Sequence, residues 1–200
     1  TTDGTPPTVS SVVFSTPIQV ATTKTIKAIA MDPALRDSNI ASGLYTIQNP
    51  ATSIDFSQGF SSTTGLMLNG SATASNDSRL QLTNGGLNQA GSVFWTTPVD
   101  IQAFTTSFEF QITGDAKANG FTFCIQNSPQ GAAVLGGNSS GFGYEGITKS
   151  VAVKFNFYDF NGEGANSTGI YTNGDAPVLP SIDITSSGIQ LNSGDSIQAD

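Results

Sequence analysis

Residues Val151–Gly174 read VAVKFNFYDFNGEGANSTGIYTNG, and the change of pattern inside this stretch decides what kind of chain this is. Val151, Val153, Phe155 and Phe157 alternate with Ala152, Lys154 and Asn156. Period-two alternation of this kind marks a strand with two different faces. The pattern then breaks. Asp159, Asn161, Glu163, Asn166, Ser167 and Thr168 crowd together, with Gly162, Gly164 and Gly169 among them. Carboxylate and amide oxygens at this density suit a hard cation or a hydroxyl-rich ligand. They equally suit an ordinary solvated loop, because Asn, Asp and Gly dominate turns.

Working outward, the rest of the chain repeats the strand half of that motif. FEF at 108–110 places Phe108 and Phe110 on one face with Ile112, and GFTFCI at 120–125 does the same with Phe121, Phe123 and Ile125. Thirteen Phe beside one Trp suit a core of inward-facing aromatics between sheets. No window shows a convincing amphipathic helix. The expectation is an all-β protein of many short strands with Gly-rich turns. Strands are expected at Thr8–Phe14, Lys24–Ala30, Leu44–Ile47, Leu80–Thr83, Ser92–Thr96, Thr106–Thr113, Gly120–Gln126 and Ser150–Tyr158, and near Gly169–Tyr171 and Ser181–Ile184. Two units are expected, residues 1–48 and 54–200. A linker at 49–53 separates them, because Asn49 before Pro50 is pushed out of the helical region. The chain reads as a piece of a longer protein, with no final strand before Asp200.

Composition excludes several functions. The net charge is −8 with only seven basic residues, which argues against nucleic acid, whose phosphates need clustered Lys and Arg. There is no His, so the commonest metal ligand and general base are missing. One cysteine, Cys124, allows no internal disulfide and no cysteine zinc site. Between Phe123 and Ile125 it reads as a packed thiol. No run of about 18 apolar residues is present, so no membrane insertion is expected. Charged residues make up 11% of the chain, so Ser, Thr, Asn and Gln must carry its surface. Chains of this kind are commonly secreted or displayed on a cell surface, and that is the expected location. Sequons occur at Asn69, Asn76, Asn138 and Asn166. In a chain this rich in Asn, Ser and Thr they read as coincidence.

Residues 1–48 contain TTDGTPPTV, TTKTIKAIA and a closing YTI. Together these resemble the Ig-like accessory domain found at the C-terminus of chitobiase and β-hexosaminidase, which implies a partial Ig-like unit acting as a spacer. Residues 54–200 resemble the legume-type (L-type) lectins, most closely their bacterial relatives. Four pieces carry this resemblance in the family's order: the stretch 80–112 containing AGSVFW and FTTSFEF, ANGFTFCIQN at 118–127, LGGNSSGFGYEGI at 135–147 and VAVKFNFYDFNGEG at 151–164. The resemblance implies a concanavalin-like antiparallel β-sandwich, or jelly roll, incomplete at its C-terminus, that binds glycans without catalysis.

The resemblance also implies the site residues. Asn119 matches an acidic acceptor of two vicinal sugar hydroxyls, and Gly136 or Gly137 matches a backbone donor. Asn161, with Tyr158 or Phe160 stacking on the sugar, matches the remaining contacts. For calcium it offers Asn156, the Tyr158 carbonyl, Asp159 or Asn161, and Glu163. Two carboxylates there would give modest affinity. The departures are specific. Asn119 stands where the family has an acid, which removes a charge-assisted bond about twice as strong as a neutral one. Lys154 and Asn156 stand where it has metal-binding acids, and Ser167 stands near its histidine. No transition metal is expected; instead the Lys154 ammonium, about 7 Å from Asn156 along the strand, is expected to act as a fixed charge. Two alternatives remain. One is a structural or adhesive segment with a decayed sugar site. The other is a glycoside hydrolase of the related sandwich class, which would need paired carboxyls from Glu109, Glu145 and Glu163.

Overall fold

The computed structural model describes residues 1–47, 53–113 and 118–200. The expected linker, residues 49–53, lies outside these but for Ser53. The chain divides into two compact units, Thr1–Ala51 and Thr52–Asp200. Among the described residues there is no α-helix, only strands and three single 3-10 turns.

The first unit is built on one antiparallel pair, β1 (Lys24–Ala28) and β2 (Ala41–Tyr45), in the register Lys24↔Tyr45 to Ala28↔Ala41. The strand expected at Leu44–Ile47 therefore lies earlier. Ile47 falls past the end of β1, and its N–H donates to the Thr23 hydroxyl at 2.9 Å instead. Thr8–Phe14 is not a strand. Its polar side chains capture the backbone: Ser11 N–H donates to the Thr8 carbonyl, and Thr8 N–H donates to Ser11 Oγ. Such local bonds compete with ladder formation.

The second unit holds β3 (Leu66–Gly70), β4 (Thr73–Ala74), β5 (Leu80–Gln81), β6 (Gly91–Trp95), β7 (Phe108–Gln111), β8 (Gly120–Gln126), β9 (Ser150–Asn156), β10 (Ser167–Thr172), β11 (Ile182–Asp183) and β12 (Ser196–Ala199). Its largest sheet runs β11-β10-β9-β8, all antiparallel. β8 has the bounds expected for it. The expected Leu80–Thr83 and Thr106–Thr113 shrink to β5 and β7, and β9 stops at Asn156. β3, β4 and β12 were not expected. β12 pairs with β7 and corrects the reading that no strand precedes Asp200.

The two faces of β9 have different fates. On one face Phe155 stacks on its ladder partner Phe121, with ring centroids 4.8 Å apart. Phe108 and Phe110 of β7 pack against Phe123, Phe121 and Phe155. This is the aromatic layer the alternation predicts. The other face, with Ala152, Lys154 and Asn156, is the more deeply buried. Loops cover it, and the core of Val134, Tyr144, Ile147, Ala152 and Tyr171 lies there, with Phe94 and Cys124 packed against it. Burial pushes the Cys124 thiol up to about 11.

Candidate functional site

Three pieces of chain meet at the Gly120 end of β8. Gly120 pairs with Asn156, and one step beyond the ladder Phe157 N–H donates to the Asn119 carbonyl at 3.0 Å. Asn119 therefore lies beside the start of the loop after β9. The glycine loop, residues 135–147, reaches the same place through Phe142. A Cβ on Gly120 would lie 2.9 Å from the Phe142 ring and 2.0 Å from the Phe155 carbonyl oxygen, so only glycine fits. Asn119 is 9% exposed, and its side-chain nitrogen has no partner. A buried amide left open in this way is costly unless something outside completes it.

The loop after β9 closes on its own carboxylates. Asp159 Oδ1 accepts the Gly162 N–H at 2.8 Å, and Glu163 Oε2 accepts the Asn161 N–H at 2.6 Å. Glu163 is buried, and its second oxygen, Oε1, has no partner. Tyr158 and Phe160 project from this loop, 39% and 59% exposed. The Asn161 side chain is exposed beside them. The structure thus brings Asn119, Tyr158, Phe160, Asn161 and Glu163 to one end of the sheet.

Beneath this mouth is a fully buried polar cluster. Asn156 donates through Nδ2 to the Gly164 carbonyl at 2.8 Å and to Ser167 Oγ at 3.2 Å, and its Oδ1 accepts from Tyr158 N–H at 3.3 Å. Ser167 Oγ donates to the Gly164 carbonyl and accepts from Ser181 Oγ. Lys154 is wholly inaccessible. Its Nζ donates to the Val178 carbonyl at 2.9 Å and lies 5.6 Å from the Phe142 ring and 5.3 Å from the Tyr171 ring. Burial lowers the Lys154 pKa, and Glu163 opposes that shift. Burial, and then Glu163, raise that of Tyr171.

These groups decide which ions the site suits. Lys154 Nζ, Asn156 Nδ2 and Ser167 Oγ aim hydrogens at their neighbours where a transition ion would need lone pairs, so the donor set does not fit such an ion. Among the described residues no group of three or more His, Cys, Asp or Glu is placed to hold a metal. The open, buried Oε1 of Glu163 does fit a hard cation.

Gly136 and Gly137 behave differently from the expectation. Their N–H groups donate to the carbonyls of Gly143 at 3.1 Å and Glu145 at 2.9 Å. Neither is free to donate to a sugar as the loop stands. The loop needs these bonds to fold back on itself: Gly143 N–H returns to the Gly137 carbonyl, and Glu145 N–H to the Gly141 carbonyl. Three of the sequon amides are engaged: Asn69 donates to the Ala132 carbonyl, Asn138 to the Asn88 carbonyl and Asn166 to the Ile189 carbonyl, and of the four, Asn76 and Asn138 are exposed. A groove of about 460 Å³ at Gly188–Ile197, whose Ile189 carbonyl accepts from Asn166 at the end of the loop after β9, carries one carboxylate, Asp195, and no aromatic.

The antiparallel, all-β architecture is that of a concanavalin-like β-sandwich, a fold that many carbohydrate-binding proteins share. The chain belongs to the legume lectin domain family, whose model matches residues 52–199. Residues 1–42 match the chitobiase/beta-hexosaminidase C-terminal domain. A search of curated proteins found no match.

Proposed function

We propose that the second unit is a non-catalytic lectin module, displayed outside the cell, that binds glycans at the Gly120 end of β8. The observation that carries the site is Asn119. Its buried side-chain nitrogen lacks an acceptor, and a sugar hydroxyl oxygen supplies one. Tyr158 or Phe160 stacks on the sugar's C–H face, and the exposed Asn161 amide bonds a further hydroxyl. A shallow polar mouth of this kind binds single sugars weakly and gains from multivalent display. The three Glu do not form a hydrolytic pair in this reading: Glu109 is on an exposed position of β7, Glu145 is on the glycine loop and Glu163 is buried. The first unit serves as a spacer.

Calcium is the cation proposed for this site. Glu163 Oε1 would hold it with Asp159, Asn161, the Tyr158 carbonyl and Asn156, and the ion would fix the loop that carries the aromatics. Lys154 takes the deeper position as a fixed positive charge. The contrary reading, a structural segment whose sugar site has decayed, draws on the engaged amides of Gly136 and Gly137.

A glycan array run in calcium and again in EDTA tests both parts, with a thermal melt as a folding control. The expected result is binding in calcium that weakens in EDTA. Equal binding in the two buffers keeps the lectin and removes the calcium. No binding in either buffer by a protein that melts cooperatively overturns the proposal in favour of the structural segment.

A further inference from the structure

We infer that Asn161 and Gly162, on the loop after β9, are a self-modifying pair in which the Asn161 amide is exchanged for a carboxylate, with Asp159 as the base. This goes beyond the lectin reading above and stands without it. The step needs no partner but water. The Gly162 nitrogen attacks Asn161 Cγ, the new Cγ–N bond closes an imide ring, and the Cγ–Nδ2 bond breaks. The Gly162 proton passes through Asp159 to Nδ2, which departs as ammonia. Water then opens the imide. Breaking the bond from nitrogen to Cγ gives aspartate, and breaking the bond to the main-chain carbonyl carbon gives isoaspartate.

The chain has five Asn-Gly steps, at 69–70, 84–85, 119–120, 161–162 and 173–174. Four of them are held. Asn69 Nδ2 donates to the Ala132 carbonyl at 2.9 Å. Asn84 Oδ1 accepts the Gly86 N–H at 3.1 Å, and Asn173 Oδ1 accepts the Lys149 N–H at 2.9 Å. Asn119 is buried, and Gly120 after it is fixed in the β8–β9 ladder, where a Cβ would lie 2.0 Å from the Phe155 carbonyl oxygen. Asn161 differs from all four. Its side chain is exposed, and among the described residues it has no hydrogen-bond partner. Gly162 is exposed with φ +83°, and a Cβ there would meet nothing within 4 Å, so the bare backbone has room to close into a ring.

The attacking nitrogen is also already placed on a base. Gly162 N–H donates to Asp159 Oδ1 at 2.8 Å. That is inside the reach of about 2.6–3.2 Å that a general base needs for the proton it takes. At the exposed Asn173 the equivalent Gly174 N–H donates at 3.0 Å to the Tyr144 hydroxyl, a far weaker proton acceptor than a carboxylate. The product changes the loop. Asn161 N–H lies on Glu163 Oε2 at 2.6 Å, so an aspartate at 161 stands between Asp159 and Glu163, three acids at alternate positions on a chain of net charge −8. Isoaspartate instead lengthens the main chain by one carbon and draws Gly162 away from Asp159. Both products alter the turn that carries Tyr158 and Phe160.

Peptide mapping by mass spectrometry of the intact folded chain, aged at neutral pH in EDTA, tests the assignment. The same chain aged in urea and the variants Asp159→Asn and Asn161→Gln run beside it. In the folded chain Asn161 is expected to lead Asn84 and Asn173 by about fivefold or more, the weight of one hydrogen bond expressed as a rate. In urea the five steps are expected to converge, because the bonds that hold the other four are gone. Asp159→Asn keeps an acceptor for Gly162 N–H but not the base, and is expected to slow the exchange about tenfold, less than a fully aligned base supplies. Asn161→Gln lengthens the side chain and is expected to end the exchange at this position. If another Asn leads in the folded chain, or if Asn161 leads by as much in urea, the fold does not select this pair and the assignment fails. If Asp159→Asn melts like wild type and exchanges as fast, Asp159 is not the base and the assignment fails as well.

Discussion

The two loops at the mouth of the site are held by opposite means. The glycine loop closes through main-chain bonds: Gly136 to Gly143, Gly137 to Glu145, Gly143 to Gly137 and Glu145 to Gly141. The loop after β9 closes through side chains, with Asp159, Glu163 and Asn156 each accepting or donating a bond to its backbone. A loop of the first kind depends on the absence of side chains. A loop of the second kind depends on their chemistry, and its shape responds to charge, to amide-for-acid exchange and to a cation. Specificity that must hold its form is better placed on the first, and adjustable affinity on the second.

That contrast can be broken most forcefully at Gly136. An alanine Cβ there would lie 2.4 Å from the Tyr144 carbonyl carbon, against main chain that cannot step aside. Gly136→Ala is expected to cost about 3 kcal/mol, the upper end for forced overpacking, and to lower the melting temperature by several degrees. If it melts like wild type, the glycine loop does not depend on bare backbone.

The next largest effect is expected at Asn156. Asn156→Ala removes the donor to Gly164 and Ser167 and the acceptor of Tyr158 N–H. Leaving these groups unmatched costs about 2 kcal/mol. Hydrogen exchange should quicken in residues 157–166 and stay unchanged in residues 136–146. Quickening in both loops would show that they are one cooperative piece.

The smallest effect is expected at Lys154. Lys154→Met keeps the volume and removes the charge. The Val178 carbonyl is not left bare, because Tyr171 OH also donates to it at 3.1 Å. Replacing a buried ion by an apolar side chain of similar size is often close to neutral, so the melting temperature should move by no more than the equivalent of about 1 kcal/mol. A large drop would mean that the ammonium itself, rather than the packing of its stem, holds the cluster together.

How much of this could be read from the sequence depended on where the information lay. β8 was legible to its ends because Phe121, Phe123 and Ile125 alternate with smaller residues inside clear turn signals. β3, LMLNG, was not: it has no clean alternation, and its strand character comes from pairing with β6, Leu66 opposite Trp95. The alternation of β9 was legible, but not which face lies deeper. The alternation alone does not give the depth of Lys154, for which the resemblance implied a fixed charge; it is buried between the Phe142 and Tyr171 rings with its Nζ on the Val178 carbonyl. Asn119 lies beside the start of the loop after β9 through the Phe157 N–H on its carbonyl, a contact between chain segments that no local pattern encodes.

Cys124 has a practical consequence. It is the only thiol in the chain, and burial against the core raises its pKa to about 11. Near neutral pH it stays protonated and reacts slowly with electrophiles. A cysteine introduced at Ser139 or Phe160 would therefore take a fluorophore or spin label almost alone, without first removing the native one. Each loop can be watched separately as ligand arrives, in a chain otherwise unchanged.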